Sequence, residues 1–226
     1  MPQHALSTQP LGARIVLWRA PESEGVRGDV GRFFPAREVD GLSEARRREH
    51  SAVVEAVRTL LGHDQWHLEH DADGKPWIRE ADGADGAGRS EPGAGLGDGW
   101  RALSLSHCTV GDEVWVAAAM WDDGRATCGI DLVLTDDARV VRVAPRVMSP
   151  DERNRWEGRE AWAWAAKEAM FKGHGPALEF QRDALLDEVT ENENGTGGRL
   201  AGRVRGATWR GGWSVEVGRL LVVWAE

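Results

Sequence analysis

A chain of 226 residues, 41% hydrophobic and 29% charged, can form one large or two small globular domains. No apolar run is long enough to span a bilayer and the first residues lack a signal-peptide core, so the expected compartment is the cytoplasm, with no membrane partner. A net charge of −9 excludes nonspecific nucleic-acid binding, which needs a basic surface, but leaves room for an anionic ligand in a local basic pocket.

In chain order, ARIVLWRA (13–20) reads as an opening strand. LSEARRREHSAVVEAVRTLLG reads as a helix with Ser43 as N-cap and an apolar face of Val53, Val54, Val57, Leu60 and Leu61. HLEHDADGKPWIR reads as two short strands around DADG. Residues 80–99 are glycine-rich and acidic, the composition of a flexible surface loop that interrupts a domain. RALSLSH and EVWVAAAMW form a hairpin, and TCGIDLVL is a further strand. MSPDERNRW opens a helix, with Ser149 as N-cap and Asp151 and Glu152 facing its dipole; REAWAWAAKEAMFKGHG continues it to Gly173 and Gly175. The remainder alternates strands around a glycine-rich turn. The pattern is α+β, with a sheet and a long helix in each half.

Four segments carry candidate chemistry. The chain has only three lysines, Lys75, Lys167 and Lys172, and two of them fall in WAAKEAMFK. Trp164, Glu168 and Lys172 recur every four residues, along one helix face, while Lys167 points about 100° away. On spacing alone this is also the pattern of a solvated Glu–Lys pair. Asp131 interrupts the apolar strand GIDLV, which requires that it face solvent, a partner or a metal. LSLSH offers Ser106 and His107, but no Gly-x-Ser-x-Gly elbow accompanies them, so a hydrolase is disfavoured. Cys108 beside His107 is no nucleophile pair, because neighbours on a strand face opposite ways. DGKP lacks the earlier glycine and the following Ser/Thr of a P-loop, and reads as a turn presenting Lys75. Two cysteines, Cys108 and Cys128, make no disulfide framework.

Taken in order, GKP (74–76), SLSH (104–107), GID (129–131), MSPDE (148–152) and WAAKEAMFK (164–172) resemble the 4′-phosphopantetheinyl transferase superfamily. Its signature is Gly-x-Asp, then Trp-x-x-Lys-Glu-x-x-x-Lys. The resemblance runs from about Arg46 to Lys172 and is to the two-domain, monomeric type. It implies two similar sheet-plus-helix halves related by a pseudo-two-fold: an N-terminal half, 1–122, with coenzyme A-binding elements, and a C-terminal half, 123–226, with metal and catalytic elements. It further implies a Mg²⁺-dependent enzyme that moves the phosphopantetheine arm of coenzyme A to a serine of an apo acyl or peptidyl carrier protein, releasing adenosine 3′,5′-bisphosphate.

In that reading Asp131 and Glu168 hold magnesium, and Glu168 and Lys172 are catalytic. Lys75, Ser106, His107 and Lys172 bind coenzyme A, and Lys167 serves structure. Two features depart from the family pattern. Val133 stands where many two-domain members carry a third acid, and the 80–99 loop is long. Val133 is the residue that favours the alternative, a degenerate homologue that binds coenzyme A or a carrier without catalysis. Arginines 142, 146, 153, 155 and 159 form a candidate basic patch for an acidic carrier.

Overall fold

The computed structural model describes residues 3–4, 12–20, 32–34, 40–80, 100–121 and 129–225. Residues 81–99, Cys128 and the expected half boundary at 122–123 lie outside them. The N-terminal strands are β1 (Gln3–His4), β2 (Ala13–Ala20), β3 (Trp66–His70), β4 (Pro76–Glu80), β5 (Trp100–Ala102), β6 (Ser104–Val110) and β7 (Glu113–Trp121). Helix α1 (Glu44–Leu61) lies between β2 and β3. After β8 (Ile130–Leu134) come α2 (Ala138–Val147), α3 (Pro150–Arg155), α4 (Glu160–His174) and α5 (Phe180–Asp183). Strands β9 (Ala184–Glu191), β10 (Gly197–Val204), β11 (Ala207–Glu216) and β12 (Leu220–Ala225) close the chain.

All described pairings are antiparallel, in three sheets ordered β1-β2-β7-β6, β8-β12-β11-β10-β9 and β3-β4-β5. The architecture is mixed α+β. The strand period of two sorts the side chains into layers. On β7, Val114, Val116, Ala118 and Met120 pack with Val54, Val57 and Leu60 of α1. Trp115, Ala117, Ala119 and Trp121 turn the other way, onto Ile130, Leu132, Leu220, Val222 and Trp224 of the second sheet. That sheet's far side, through Val133, Leu221 and Val223, packs on Ala165, Ala166 and Ala169 of α4. The two larger sheets thus lie face to face, with α1 outside one and α4 outside the other.

Most elements read from the sequence are present, including the Ser43 cap, whose hydroxyl accepts from the Arg46 amide. The expected single helix from Ser149 onward is two helices. The chain breaks after Arg155, where Trp156 is buried with its indole N–H on the Leu186 carbonyl at 3.2 Å, and Gly158 takes φ +77°. Helix α2 was not legible: Pro145 lies inside it and only Val140 and Ala144 are buried.

Candidate active site at the β8–α4 junction

Strand parity decides where Asp131 points. Ile130 and Leu132 face the inter-sheet core, so Asp131 and Val133 face α4. A register slip of one residue would bury the carboxylate between the sheets. Gly129, the first residue of GID, lets α4 come close: a Cβ there would overlap the carbonyl of Ala169 and press on the Gly173 amide. The helix therefore rests on the backbone of β8, and Lys172 reaches across it. Its ammonium donates to Asp131 Oδ1 at 2.7 Å and to the Ile130 carbonyl at 3.0 Å.

Asp131 is buried, at 5% exposure, which excludes the reading of an edge aspartate facing water. Its Oδ1 also accepts from the Ser106 hydroxyl at 2.9 Å. That hydroxyl accepts in turn from the Leu132 amide at 3.1 Å, and Ser104 accepts from the Ile130 amide at 2.9 Å. The two serines, spaced to share one face of β6, stitch the first sheet to the edge of the second. Asp131 Oδ2 is buried with no hydrogen-bond partner among the described residues. Glu168 sits one helical turn before Lys172. Burial, and then the negative charge of Asp131, push its carboxyl above the ordinary range, while Lys172 opposes them.

Two neighbouring carboxylates, one with an orphaned buried oxygen, form a hard-oxygen donor set that suits magnesium. Among the described residues no three His, Cys, Asp or Glu side chains gather into a protein-only cage. The residues therefore fit a cation that takes one or two carboxylates and completes its shell with water and phosphate oxygens.

Beside this cluster lies a cleft of about 230 Å³ between the β3–β4 turn and the end of α4. Asp71, Asp73, Lys75, Ser104, Lys172 and His174 are among the residues that line it. Lys75 donates to the Gly173 carbonyl at 3.3 Å, bridging the turn to the helix end. Burial, and then the cations of Lys75 and Arg205, hold the His174 imidazole below its ordinary value.

Of the residues singled out from sequence, the structure brings together Asp131, Glu168, Lys172 and Ser106, with Lys75 across the cleft. Ser106 is turned to Asp131. His107 is not brought in: it lies on the opposite face of β6, toward α1, with Nε2 3.6 Å from Glu49, which Arg46 also holds at 2.7 Å. Burial pushes the Cys108 thiol up to about 12, leaving no thiolate near neutral pH.

Lys167 is wholly buried, held by both Glu152 oxygens at 2.9 and 3.0 Å and by the carbonyls of Phe180 and Ala184. From the sequence, Glu152 reads only as a first-turn acid facing the helix dipole, within the MSPDE segment. It also accepts from the Leu186 amide at 2.9 Å, joining α3, α4 and β9. The Ser-x-x-Glu spacing signals the cap and carries no sign of the lysine.

Residues 127–219 match the family model of the 4′-phosphopantetheinyl transferase superfamily. This segment is a 4′-phosphopantetheinyl transferase superfamily domain. No curated protein matches the chain. The superfamily domain contains Asp131, Glu152, Lys167, Glu168 and Lys172, whereas Lys75, Ser106 and His107 precede it. No described helix is long and apolar enough to cross a membrane.

Proposed function

We propose that this protein transfers the 4′-phosphopantetheine arm of coenzyme A to a serine of an apo acyl or peptidyl carrier protein, with Mg²⁺, releasing adenosine 3′,5′-bisphosphate. The observation that carries this reading is the meeting of Asp131, Glu168 and Lys172 in a superfamily domain, beside a cleft lined by Lys75. We read the chain as two halves, 1–122 and 123–226, related by a pseudo-two-fold and acting as a monomer in the cytoplasm.

In this reading Asp131 and Glu168 hold the magnesium. Bound there, it would neutralise charge on the pyrophosphate. Lys75 and Lys172 grip the donor's phosphates, and Lys172 exchanges its bond to Asp131 for the leaving phosphate. Glu168 orients the acceptor hydroxyl and takes its proton. The serine oxygen then bonds to the phosphorus next to the pantetheine arm as the bond to the nucleotide phosphate breaks. His107, paired toward Glu49, serves the donor only where a phosphate reaches that second face of β6. For the carrier, Arg142 and Arg146 present exposed guanidinium groups on α2, while Arg155 and Arg159 are engaged with Asp187 and Glu191.

Val133 supports the second reading, a homologue that binds without transferring. It is apolar, 8% exposed, on the Asp131 face of β8, and so supplies no third carboxylate. The test is incubation with coenzyme A, magnesium and a panel of apo carriers, followed by intact-mass measurement. A carrier gaining one phosphopantetheine supports transfer. Coenzyme A binding with no carrier modified supports the second reading.

A further inference from the structure

The β3–β4 turn is built around Asp71, which has no place in the proposed transfer. Its Oδ1 accepts from the amides of Asp73 at 3.0 Å and Lys75 at 2.9 Å, and its Oδ2 accepts from the Trp77 indole N–H at 2.8 Å. The backbone closes the same turn: the Asp71 amide donates to Lys75, the Gly74 amide to Asp71, both at 3.0 Å, and Gly74 takes φ +80°. Trp77 is anchored in the inter-sheet core, and the Lys75 ammonium lies 5.9 Å from its ring centroid. Carboxylate, indole and lysine thus form one unit, of which Asp71 and Lys75 line the cleft, with Lys75 directed at the end of α4. Burial works against the charge on Asp71, yet the Trp77 indole and the backbone amides hold its carboxyl below the usual range.

We propose that Asp71 is a positioning residue for the coenzyme A cleft: it touches no substrate and acts on donor affinity through Lys75. This rests on the proposed function. The reason is geometric. A lysine has four rotatable stem bonds, and its backbone must be fixed before its ammonium is directed at a phosphate. Asp71 fixes that backbone at the Lys75 amide and fixes the neighbouring ring over which the ammonium lies. A carboxylate close to an anionic donor is otherwise unfavourable by charge alone. Three hydrogen bonds accepted from the protein offset that cost and leave the turn's shape as its contribution.

The experiment is calorimetric binding of coenzyme A to the full chain, without carrier, for wild type, Asp71→Ala, Asp71→Asn, Lys75→Ala and the double variant Asp71→Ala/Lys75→Ala. Thermal melts accompany each to confirm folding. Asp71→Ala is expected to weaken coenzyme A roughly tenfold, the equivalent of one charge-assisted contact. Asp71→Asn recovers part of this, because its amide oxygen still accepts from the two backbone N–H groups. The double variant binds no more weakly than Lys75→Ala alone, because the effect runs through that lysine. In turnover assays KM for coenzyme A rises while kcat at saturation and the carrier KM stay within about twofold. Unchanged affinity in Asp71→Ala overturns the proposal. So does tighter binding in both Ala and Asn variants, which would make Asp71 a repelling charge. Additive losses in the double variant overturn the route through Lys75. Wild type that binds no coenzyme A sinks the functional reading itself, a result separable from all of these.

Discussion

Removing the buried ammonium of Lys167 tests what holds α4 in place. Lys167→Met keeps most of the side-chain volume and deletes the charge. Glu152 then loses its counter-ion, yet both its oxygens still accept from the Ser149 and Leu186 amides, at 2.9 Å each. The carbonyls of Phe180 and Ala184 lose a donor. Breaking a buried pair from one side costs roughly 3–5 kcal/mol, and the retained amide bonds put this variant at the lower end, about 3 kcal/mol. For a chain of this size that is a fall of about 6–12 °C in melting temperature. Glu152→Ala is worse. It strands an ammonium that is 0% exposed, and it removes half of a capping box, worth about 1 kcal/mol more. Urea unfolding followed by the fluorescence of the 12 tryptophans measures both variants. The double variant Glu152→Leu/Lys167→Met should lose less than the sum of the two single losses, since neither charge is left stranded. A loss below about 1 kcal/mol in Lys167→Met, or full additivity in the double variant, would refute the pair as the anchor of α4.

Glu168→Gln should abolish most transfer, by about 100-fold or more, while raising the melting temperature at pH 7. The folded-state carboxyl is shifted up, so its ionisation costs stability above that raised value, and the cost vanishes as pH falls below the ordinary 4.5. The gain in the Gln variant should therefore shrink on acidification, and a pH series of melts checks it. Lys172→Ala should lower turnover by about 100-fold and Lys172→Arg recover only part; near-wild-type turnover of Lys172→Ala in steady-state kinetics would refute a role for this lysine on the donor. Gly129→Ala should cost about 1–3 kcal/mol by forcing α4 off β8, with turnover falling as Lys172 leaves Asp131; a melt and activity like wild type would contradict the close approach. Ser106→Ala should weaken Mn²⁺ binding, read by electron paramagnetic resonance, because Asp131 loses one of the donors that orient it, while Ser104→Ala leaves it unchanged.

Residue types and spacing singled out Asp131 in its apolar strand, the Glu168–Lys172 helix face, the lysine turn of 73–76 and the caps at Ser43 and Ser149. These are properties of local chemistry: a helix repeats every 3.6 residues, a charge is conspicuous inside an apolar strand, and cap residues name helix starts. That the acids and the lysine form one set was implied only by the family resemblance. The same strand period that separates Cys108 from His107 also separates Ser106 from His107, so their divergence was legible too. What sequence could not supply was which face of β6 meets β8, and therefore that Ser106 turns to Asp131 while His107 turns to Glu49. Nor could it pair Glu152 with Lys167, 15 residues away, because the break at Trp156 folds α3 back and the bond closes only in the packed core. Gly129 shows the division most plainly. Its place in the motif is visible in the chain, but the reason only a hydrogen fits there is the backbone of α4, some 40 residues on, resting against it.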